Sequence, residues 1–220
     1  MSITGDPDGA PMKVGVALAD VIAGKDAAAA ILGRILERNE WPLSVSRRRI
    51  QISLMTSAVA SLVNVAQAAL VSGDEPRRWG NAHPSLVPYQ VFSASDRPFV
   101  IAVGSDSQWE PCVSALGIPG LAAESELAHN AGRVKNRERV VSAIAAAVSA
   151  NTADHWVKTL MSAGVPCGEV RTVGEALENV DASPLTGVAS AVDGTVRLPP
   201  PRLDEHGAEL RELGWRVFKR

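Results

Sequence analysis

Asp20 is the first residue of this sequence whose type and surroundings could do chemistry. It lies in the segment KVGVALADVIAGKDAAAAILGRIL, residues 13–36, which is rich in Ala, Val, Ile and Leu and predicts a buried helix. A carboxylate in apolar surroundings is costly to bury unless it is paired or neutralised. Such a carboxylate can attack an activated acyl group to form an anhydride, which the released thiolate then converts into a thioester on the protein. The simpler alternative is that Asp20 caps a helix that starts at Val21.

A second group of candidate side chains lies in the polar loop RWGNAHPSLVPYQ, residues 78–90. His83 could take part in acid or base catalysis there. The simpler alternative is that His83 is an ordinary loop residue held by Asn81 and Pro84. The residues alone leave both alternatives open.

Signals of several common enzyme classes are absent from the sequence. It contains no GxGxxG, P-loop, GxSxG or HExxH motif. The four histidines show no metal-ligand spacing with one another or with the two cysteines. Cys112 and Cys167 are far apart and form no CxxC pair. We therefore predict no metal site, no zinc ribbon and no thioredoxin-like motif.

Composition limits the partners and the location that we expect. The chain has 220 residues, 46% hydrophobic and 21% charged, with a formal net charge of -2. This balance gives no sign of a nucleic-acid or membrane-surface partner. No uninterrupted apolar run reaches the roughly 20 residues that a membrane span needs. The first residues do not have the pattern of a secretory signal, so we expect a cytoplasmic protein.

The first third of the chain predicts helices with one strand between them. Helical spacing of apolar residues predicts a helix over 14–38. The alternation in RRRIQISL predicts a strand, and MTSAVASLVNVAQAALVSG predicts one helix, apolar nearly all round, that ends at Gly73. Two largely apolar helices joined by one strand cannot bury themselves. We therefore expect this chain to pair with another chain or to be the remainder of a longer one.

The middle of the chain predicts a compact α/β unit. YQVFSA and FVIAVG predict two strands joined by a tight connection at residues 95–98. Trp109 and Trp156 lie on the apolar faces of predicted helices, which favours a role in the core. Thr152 is placed to cap the second of these helices, and Gly164 to end it. Further elements are predicted from these segments: a helix in RERVVSAIAAAVSA, a strand in PCGEVRT, a helix in VGEALEN, short strands from about residue 184, and a last helix in GAELRELG.

Four blocks of the sequence, in the correct order, resemble those of the CaiB/BaiF family, the family III CoA-transferases. The first runs from SITGDPDGAPMKVGVALADVIAG through RRRIQISL. The others are RWGNAHPSLVPYQVFSASDRPFVIAVGSDSQWEPCVSALG, AGVPCGEVRTVGEAL and LPPPRLDEHGAELRELG. Met1 falls where a family chain would be in mid-sequence, so the resemblance is to a chain that lacks the N-terminal half.

The resemblance implies an α/β fold with a long helix, a small α/β domain and a C-terminal return segment. Residues 1–75 would be the C-terminal part of the large Rossmann-like domain with linker helices. Residues 76–180 would form the small α/β domain, and residues 181–220 would return to the large domain. Family members form interlocked ring-shaped dimers, so a homodimer, or a partner chain that supplies the missing half, is expected.

The resemblance also implies an activity and a site. Asp20 matches the aspartate that becomes acylated in the transferases, and Asn81 and His83 would lie near the CoA thioester. Acyl-CoA and a carboxylic acid would be the substrates, with no cofactor bound permanently. EWPLSVSRRR replaces the usual TG.GQ of the family. The glycine-rich active-site loop of the formyl-CoA transferases is not visible, so oxalate or formyl specificity is not supported.

Two alternatives to CoA transfer remain open. In the racemases of the family an aspartate at the position of Asp20 works as an acid or base together with a histidine. Racemases tend to follow that aspartate with an aromatic residue and a glycine run, whereas Val21, Ile22 and Ala23 follow it here, which favours transfer. The third hypothesis is a catalytically incomplete fragment or subunit with a role in assembly.

Overall fold

The structure is a computed structural model, and it describes residues 1–37, 49–178, 201–214 and 216. Packing divides the chain into two compact units, Met1–Gly168 and Glu169–Arg220. Helices surround one small sheet in the first unit, in agreement with the α/β class. The predicted division into residues 1–75, 76–180 and 181–220 stays a prediction.

Helix α1 spans Leu18–Leu36, so it begins four residues later than the sequence predicts. Its N-cap is Ala17, which offers no side-chain hydrogen bond. Asp20 lies in the first turn, where a carboxylate is favourable beside the positive end of the helix dipole. The alternative that Asp20 caps a helix starting at Val21 is therefore wrong.

The prediction that α1 is buried is also wrong for this chain. Ala23 is its one buried residue, whereas Val21 is 51% exposed and Leu32 is 62% exposed. The side chain of Ser57 donates a hydrogen bond of 2.5 Å to Asp26 Oδ2 and so joins α1 to the next helix. Apolar spacing predicted the helix correctly, but burial depends on a neighbour that covers the face.

The predicted strand in RRRIQISL is not formed over residues 49–53, which have no regular structure. A strand is stabilised by pairing with a neighbour, and none of the described residues pairs with this segment. Ser53 instead caps helix α2, Leu54–Ala60, by accepting a hydrogen bond of 3.4 Å from the backbone N–H of Thr56.

A single helix was predicted to reach Gly73, but the structure has two. Helix α2 is followed by α3, Val63–Ser72, and their axes turn by 71°. The break is at Val63, whose φ of 44° is unfavourable for a β-branched residue. Gly73 ends α3 in the left-handed conformation at φ 76°, as predicted.

No single helix in the described ranges is long and apolar enough to cross a membrane. Helices α2 and α3 meet the criteria of length and composition only when they are taken together across the bend.

The described residues form a three-stranded sheet in the order β1-β2-β3: β1 at Tyr89–Ser93, β2 at Pro98–Ala102 and β3 at Cys167–Glu169. Strands β1 and β2 are antiparallel, and Tyr89 lies opposite Ala102. The predicted strands and their tight connection are confirmed. Asp96 stabilises that connection, because its Oδ1 accepts hydrogen bonds from the backbone N–H groups of Arg97 at 2.9 Å and Ala153 at 2.8 Å.

Four helices pack around this sheet: α4 at Trp109–Ala115, α5 at Asn130–Lys135, α6 at Arg137–Val148 and α7 at Ala153–Ser162. Trp109 and Trp156 are buried in the core, as predicted, and Trp156 Nε1 donates a hydrogen bond of 2.7 Å to the carbonyl oxygen of Val148. Thr152 caps α7 through its side chain, and Gly164 follows the helix at φ 73°. Other fully buried side chains of the core are Phe99, Ile101, Leu127, Val140, Ile144 and Leu160.

The second unit contains helices α8, Val173–Leu177, and α9, Gly207–Leu213. Thr172 and Glu175 form a reciprocal capping box at the start of α8. Both helices agree with the predicted segments. The short strands expected from about residue 184 lie outside the described residues.

Candidate active site

Asp20 presents an exposed carboxylate near the start of α1. Its backbone N–H donates to the carbonyl oxygen of Ala17 at 3.1 Å. Within the described part of the chain, the carboxylate itself has no hydrogen bond or ion pair. Such a group is open to a ligand from solvent, which an attacking nucleophile requires.

The loop that precedes α1 is attached to the polar loop of residues 78–90 by Arg78. Arg78 Nε donates to the carbonyl oxygen of Asp6 at 3.0 Å, and its Nη2 donates to that of Gly9 at 2.7 Å. The backbone N–H of Gly80 adds a hydrogen bond of 3.0 Å to the carbonyl oxygen of Gly5. Sequence reasoning missed this role of Arg78, because nothing in a single arginine indicates that it binds main-chain oxygens far away in the sequence.

Two glycines allow this close approach of the loops. Gly5 has φ 117°, and a Cβ built on it would come within 3.0 Å of the carbonyl oxygen of Ala10. Gly80 has φ 58°, a backbone conformation that side-chain-bearing residues rarely adopt. The glycines therefore permit the backbone conformations of the segment leading to Asp20 and of the loop leading to Asn81.

His83 is half-buried and held by Ser85 and Tyr89, not by Asn81 and Pro84 as its simpler interpretation proposed. The backbone N–H of Ser85 donates to His83 Nδ1 at 3.1 Å, and the imidazole stacks on Tyr89 with 5.2 Å between ring centroids. Burial, and then the positive charge of Arg137, hold the pKa of His83 below 6.5. Because Nδ1 accepts a hydrogen bond, the neutral ring carries its proton on Nε2.

Asn81 is exposed, and its side chain makes no hydrogen bond to another described residue. No hydrogen bond, ion pair or ring contact in the described ranges joins Asp20 to Asn81 or His83. The structure thus connects the two segments through Arg78 and Gly80, and the roles of Asp20, Asn81 and His83 stay predictions.

Two side chains of α5 hold the loop that follows His83. Asn130 Nδ2 donates to the carbonyl oxygen of Ser85 at 2.8 Å, and its Oδ1 accepts from the backbone N–H of Val87 at 3.1 Å. Arg133 Nε donates to the carbonyl oxygen of Val87 at 2.8 Å. These contacts fix the backbone after His83 on the surface of the α/β core.

Arg133 is a buried charge whose polar groups are satisfied. Its side chain is 1% exposed, and its Nη2 pairs with Asp106 Oδ1 at 2.8 Å. Its Nη1 donates to the carbonyl oxygens of Leu127 at 2.9 Å and Ala128 at 3.1 Å. Hydrogen bonds from His129 and then Arg133 lower the pKa of Asp106 to about 2.

A cavity of about 600 Å³ lies between α3 and the loop of residues 74–85. Its lining includes Ala68, Trp79, Gly80 and Ala82, but not Asn81 or His83. The volume is in the range of small-molecule sites. No group of three or more metal-ligating side chains is found among the described residues.

Residues 1–211 match the sequence profile of the family described as CoA-transferase family III. Since this match covers nearly all of the 220 residues, the chain belongs to CoA-transferase family III. The family resemblance drawn from the four sequence blocks is therefore confirmed.

Relatives that are named as CoA-transferases support this family assignment. The chain is 33% identical to the succinate–glutarate CoA-transferase of Agrobacterium fabrum, over 96% of this chain and 56% of that protein. It is 30% identical to the succinyl-CoA:glutarate CoA-transferase of Mus musculus, over 94% of this chain and 51% of that protein. It is also 30% identical to the acetyl-CoA:oxalate CoA-transferase of Acetobacter aceti, over 96% and 58%.

A solved structure of a CaiB/BaiF family protein from Brucella suis superimposes with a TM-score of 0.73 at 32% sequence identity. The match covers 96% of this chain and 59% of that one, which confirms the predicted fold class. The chain spans about half the length of the curated relatives that it matches.

Proposed function

We propose that this chain takes part in the transfer of CoA between an acyl-CoA and a carboxylic acid, with Asp20 as the covalent nucleophile. The observation that carries the proposal is the exposed carboxylate of Asp20, which has no partner among the described residues, in a chain that belongs to CoA-transferase family III. The names of the relatives, which include succinyl-CoA, acetyl-CoA, glutarate and oxalate, support an acyl-CoA donor and a carboxylic acid acceptor.

The proposed reaction begins with attack of an Asp20 carboxylate oxygen on the thioester carbonyl. The carbon–sulfur bond breaks, CoA leaves as a thiolate, and a mixed anhydride joins Asp20 to the acyl group. The thiolate then attacks the aspartyl carbonyl, which releases the donor acid and leaves CoA on Asp20 as a thioester. The acceptor carboxylate reverses these two steps, so that the new acyl-CoA departs and the carboxylate of Asp20 is restored.

Asn81 and His83 are proposed to contact the CoA thioester. The exposed amide of Asn81 has no partner among the described residues. The neutral imidazole of His83 presents an N–H at Nε2, because Nδ1 is engaged by Ser85. Because the ring is neutral, its Nε2–H group can donate a hydrogen bond to the thioester oxygen while the ring keeps that proton.

We also propose that the chain acts as a homodimer or together with a partner chain, in the cytoplasm. The support is the exposed apolar surface of α1, α2 and α3, which is larger than scattered single residues would give. Examples of its exposed residues are Val21, Leu32, Met55, Leu70 and Val71. The molar mass in solution, measured by light scattering, distinguishes a monomer from an assembly.

Measurement of CoA transfer by the purified chain tests the proposal. The purified chain is incubated with succinyl-CoA and glutarate, and glutaryl-CoA is measured by chromatography. Asp20→Ala is expected to abolish its formation. The control Asp26→Asn, on the same helix, removes the same charge but keeps an oxygen that can accept from Ser57, and it is expected to retain most of the turnover. Wild-type turnover by Asp20→Ala contradicts the proposal. A folded chain without any turnover contradicts an activity of this chain by itself and favours the incomplete-subunit hypothesis.

A further inference from the structure

A basic cavity of about 640 Å³ lies between the loop that contains Arg77 and Trp79 and the start of α6. It is separate in its lining from Asp20, Asn81 and His83. Four cationic side chains and one acidic side chain line it, together with an indole ring: Arg77, Lys135, Arg137, Arg139, Glu138 and Trp79.

Two of these cations stack on the same aromatic ring. The guanidinium carbon of Arg77 lies 4.1 Å from the ring centroid of Trp79, and that of Arg137 lies 4.9 Å from it. Stacking on an indole holds both guanidinium groups in place. Two like charges are therefore fixed close together at the edge of one cavity, which is unfavourable without an anion.

Among the described residues, carboxylates form ion pairs with one of these four cations. Arg139 is paired with Glu124 at 2.8 Å and Glu126 at 2.9 Å. In contrast, neither Arg77 nor Lys135 forms an ion pair with any residue that the structure describes. The cavity thus keeps an excess of positive charge after its own salt bridges are counted.

Arg137 adds an unsatisfied donor to this excess. Its Nη2 donates to the carbonyl oxygen of Pro84 at 2.8 Å, but its buried Nη1 has no hydrogen-bond partner in the described part of the chain. A buried donor without an acceptor is unfavourable, more so when it is charged. Burial and the charge of Arg77 also lower the pKa of Arg137.

We propose that this cavity binds a phosphoryl group. Arginine pairs readily with phosphate oxygens, and the charge of a phosphoryl group matches several uncompensated cations better than a single carboxylate does. The cavity volume is in the range of small-molecule sites. One source would be the phosphates of CoA, in which case the site deepens the proposed function, and the other is a free phosphate or a nucleotide.

Calorimetric titration of the full chain tests the site. The probes are CoA, 3′-dephospho-CoA, ADP and inorganic phosphate. Arg77→Gln removes one stacked charge from an exposed position and is expected to weaken binding roughly tenfold or more. Lys158→Gln is the matched control, because this lysine is exposed and pairs with Asp154 outside the cavity. It is expected to leave the affinity unchanged.

The probes separate the two sources. Tighter binding of CoA than of 3′-dephospho-CoA, lost in Arg77→Gln, assigns the site to a phosphate of CoA. Equal binding of ADP and phosphate with no preference for CoA assigns it to a free phosphate. Absence of binding by all four probes, or equal affinities of wild type and Arg77→Gln, overturns the proposal.

Asp20→Ala separates this inference from the proposed function. It is expected to leave the affinities for ADP and inorganic phosphate unchanged, since Asp20 does not line the cavity. If the wild type binds the probes with normal affinity but transfers no CoA, the proposed function alone is contradicted. If transfer depends on Asp20 but Arg77→Gln leaves the affinities for the probes unchanged, the phosphoryl site alone is contradicted.

Discussion

Two regions of this chain with similar apolar sequences differ sharply in burial. The α/β core, residues 87–165, buries a continuous cluster that includes Phe99, Trp109 and Ile144. The N-terminal helical region, α1 to α3, has Ala23 and Ser57 as its buried residues. Large apolar side chains such as Leu32 and Leu70 are exposed there. Apolar content therefore identifies helices in both regions, but burial is achieved only where helices and strands cover one another.

The two regions also differ in the burial and pairing of a charged side chain. The α/β core buries Arg133 completely and gives its guanidinium an acid and three carbonyl oxygens. The helical region leaves Asp20 exposed and unpaired among the described residues. A satisfied buried charge is typical of a structural role, whereas an unpaired carboxylate is available for chemistry.

Matched truncations should give the largest contrast between the regions. Ile144→Ala is expected to lower the free energy of unfolding by about 4 kcal/mol, because a fully buried side chain leaves a cavity. Leu32→Ala on α1 should change the free energy of unfolding of the monomer by less than about 0.5 kcal/mol, because the side chain is 62% exposed in the single chain. Chemical denaturation followed by tryptophan fluorescence measures both. Equal losses would mean that α1 is packed as tightly as the core.

Removal of the buried charge should be nearly as costly. Arg133→Met is expected to lower the free energy of unfolding by about 3 kcal/mol, because the carbonyl oxygens of Val87 and Leu127 lose their donor. Arg139→Met is the control, since Arg139 forms exposed ion pairs with Glu124 and Glu126 that contribute at most about 1 kcal/mol. A loss no greater than that of the control would show that Arg133 does not stabilise the core.

Much of the α/β core could be predicted from the sequence, for local reasons. Alternation of apolar and polar residues predicted β1 and β2, and Thr152 predicted the start of α7. Amphipathic spacing predicted that Trp109 and Trp156 are buried in the core. These signals depend on residues close in sequence. The strand expected in RRRIQISL is absent over the described residues 49–53, because alternation cannot show whether a pairing neighbour exists.

The candidate site was less predictable from local patterns. The family resemblance at Asp20 was its best signal. Spacing alone could not distinguish a catalytic aspartate from an aspartate that caps a helix. The attachment of the first loop by Arg78 joins residues about 70 positions apart. The partners of His83, Ser85 and Tyr89, are near in sequence, but stacking on the tyrosine ring depends on how the loop turns.

The pH dependence of stability should report on Asp106 in the α/β core. Its pKa is about 2 in the folded chain against an ordinary value of 3.8, so the unfolded chain binds its proton more tightly. The stability from this carboxylate is thus present above about pH 4 and lost as the pH falls toward 2. Denaturation midpoints between pH 2 and 6 measure it, and Asp106→Asn should flatten this part of the profile. An unchanged profile in Asp106→Asn would rule out its contribution.

The smallest expected effect is on His83, beside the boundary of the two regions. Arg137 contributes to lowering its pKa, so Arg137→Gln should raise that pKa toward 6.5, as followed by NMR titration of the imidazole. Since the folded pKa lies below 6.5, protonation favours the unfolded chain, and stability falls as the pH drops through 6.5. Arg34→Gln on α1 is the control and should leave the titration unchanged. A matching shift in both variants would exclude a specific effect of Arg137.

Covalent capture shows whether the carboxylate of Asp20 is the nucleophile. The folded chain is incubated with succinyl-CoA, quenched with hydroxylamine and digested, and the peptides are analysed by mass spectrometry. A hydroxamate is expected on Asp20 that is absent from Asp20→Ala and retained by Asp26→Asn. An unmodified Asp20 in the folded chain, or the same adduct at Asp26, would exclude Asp20 as the nucleophile.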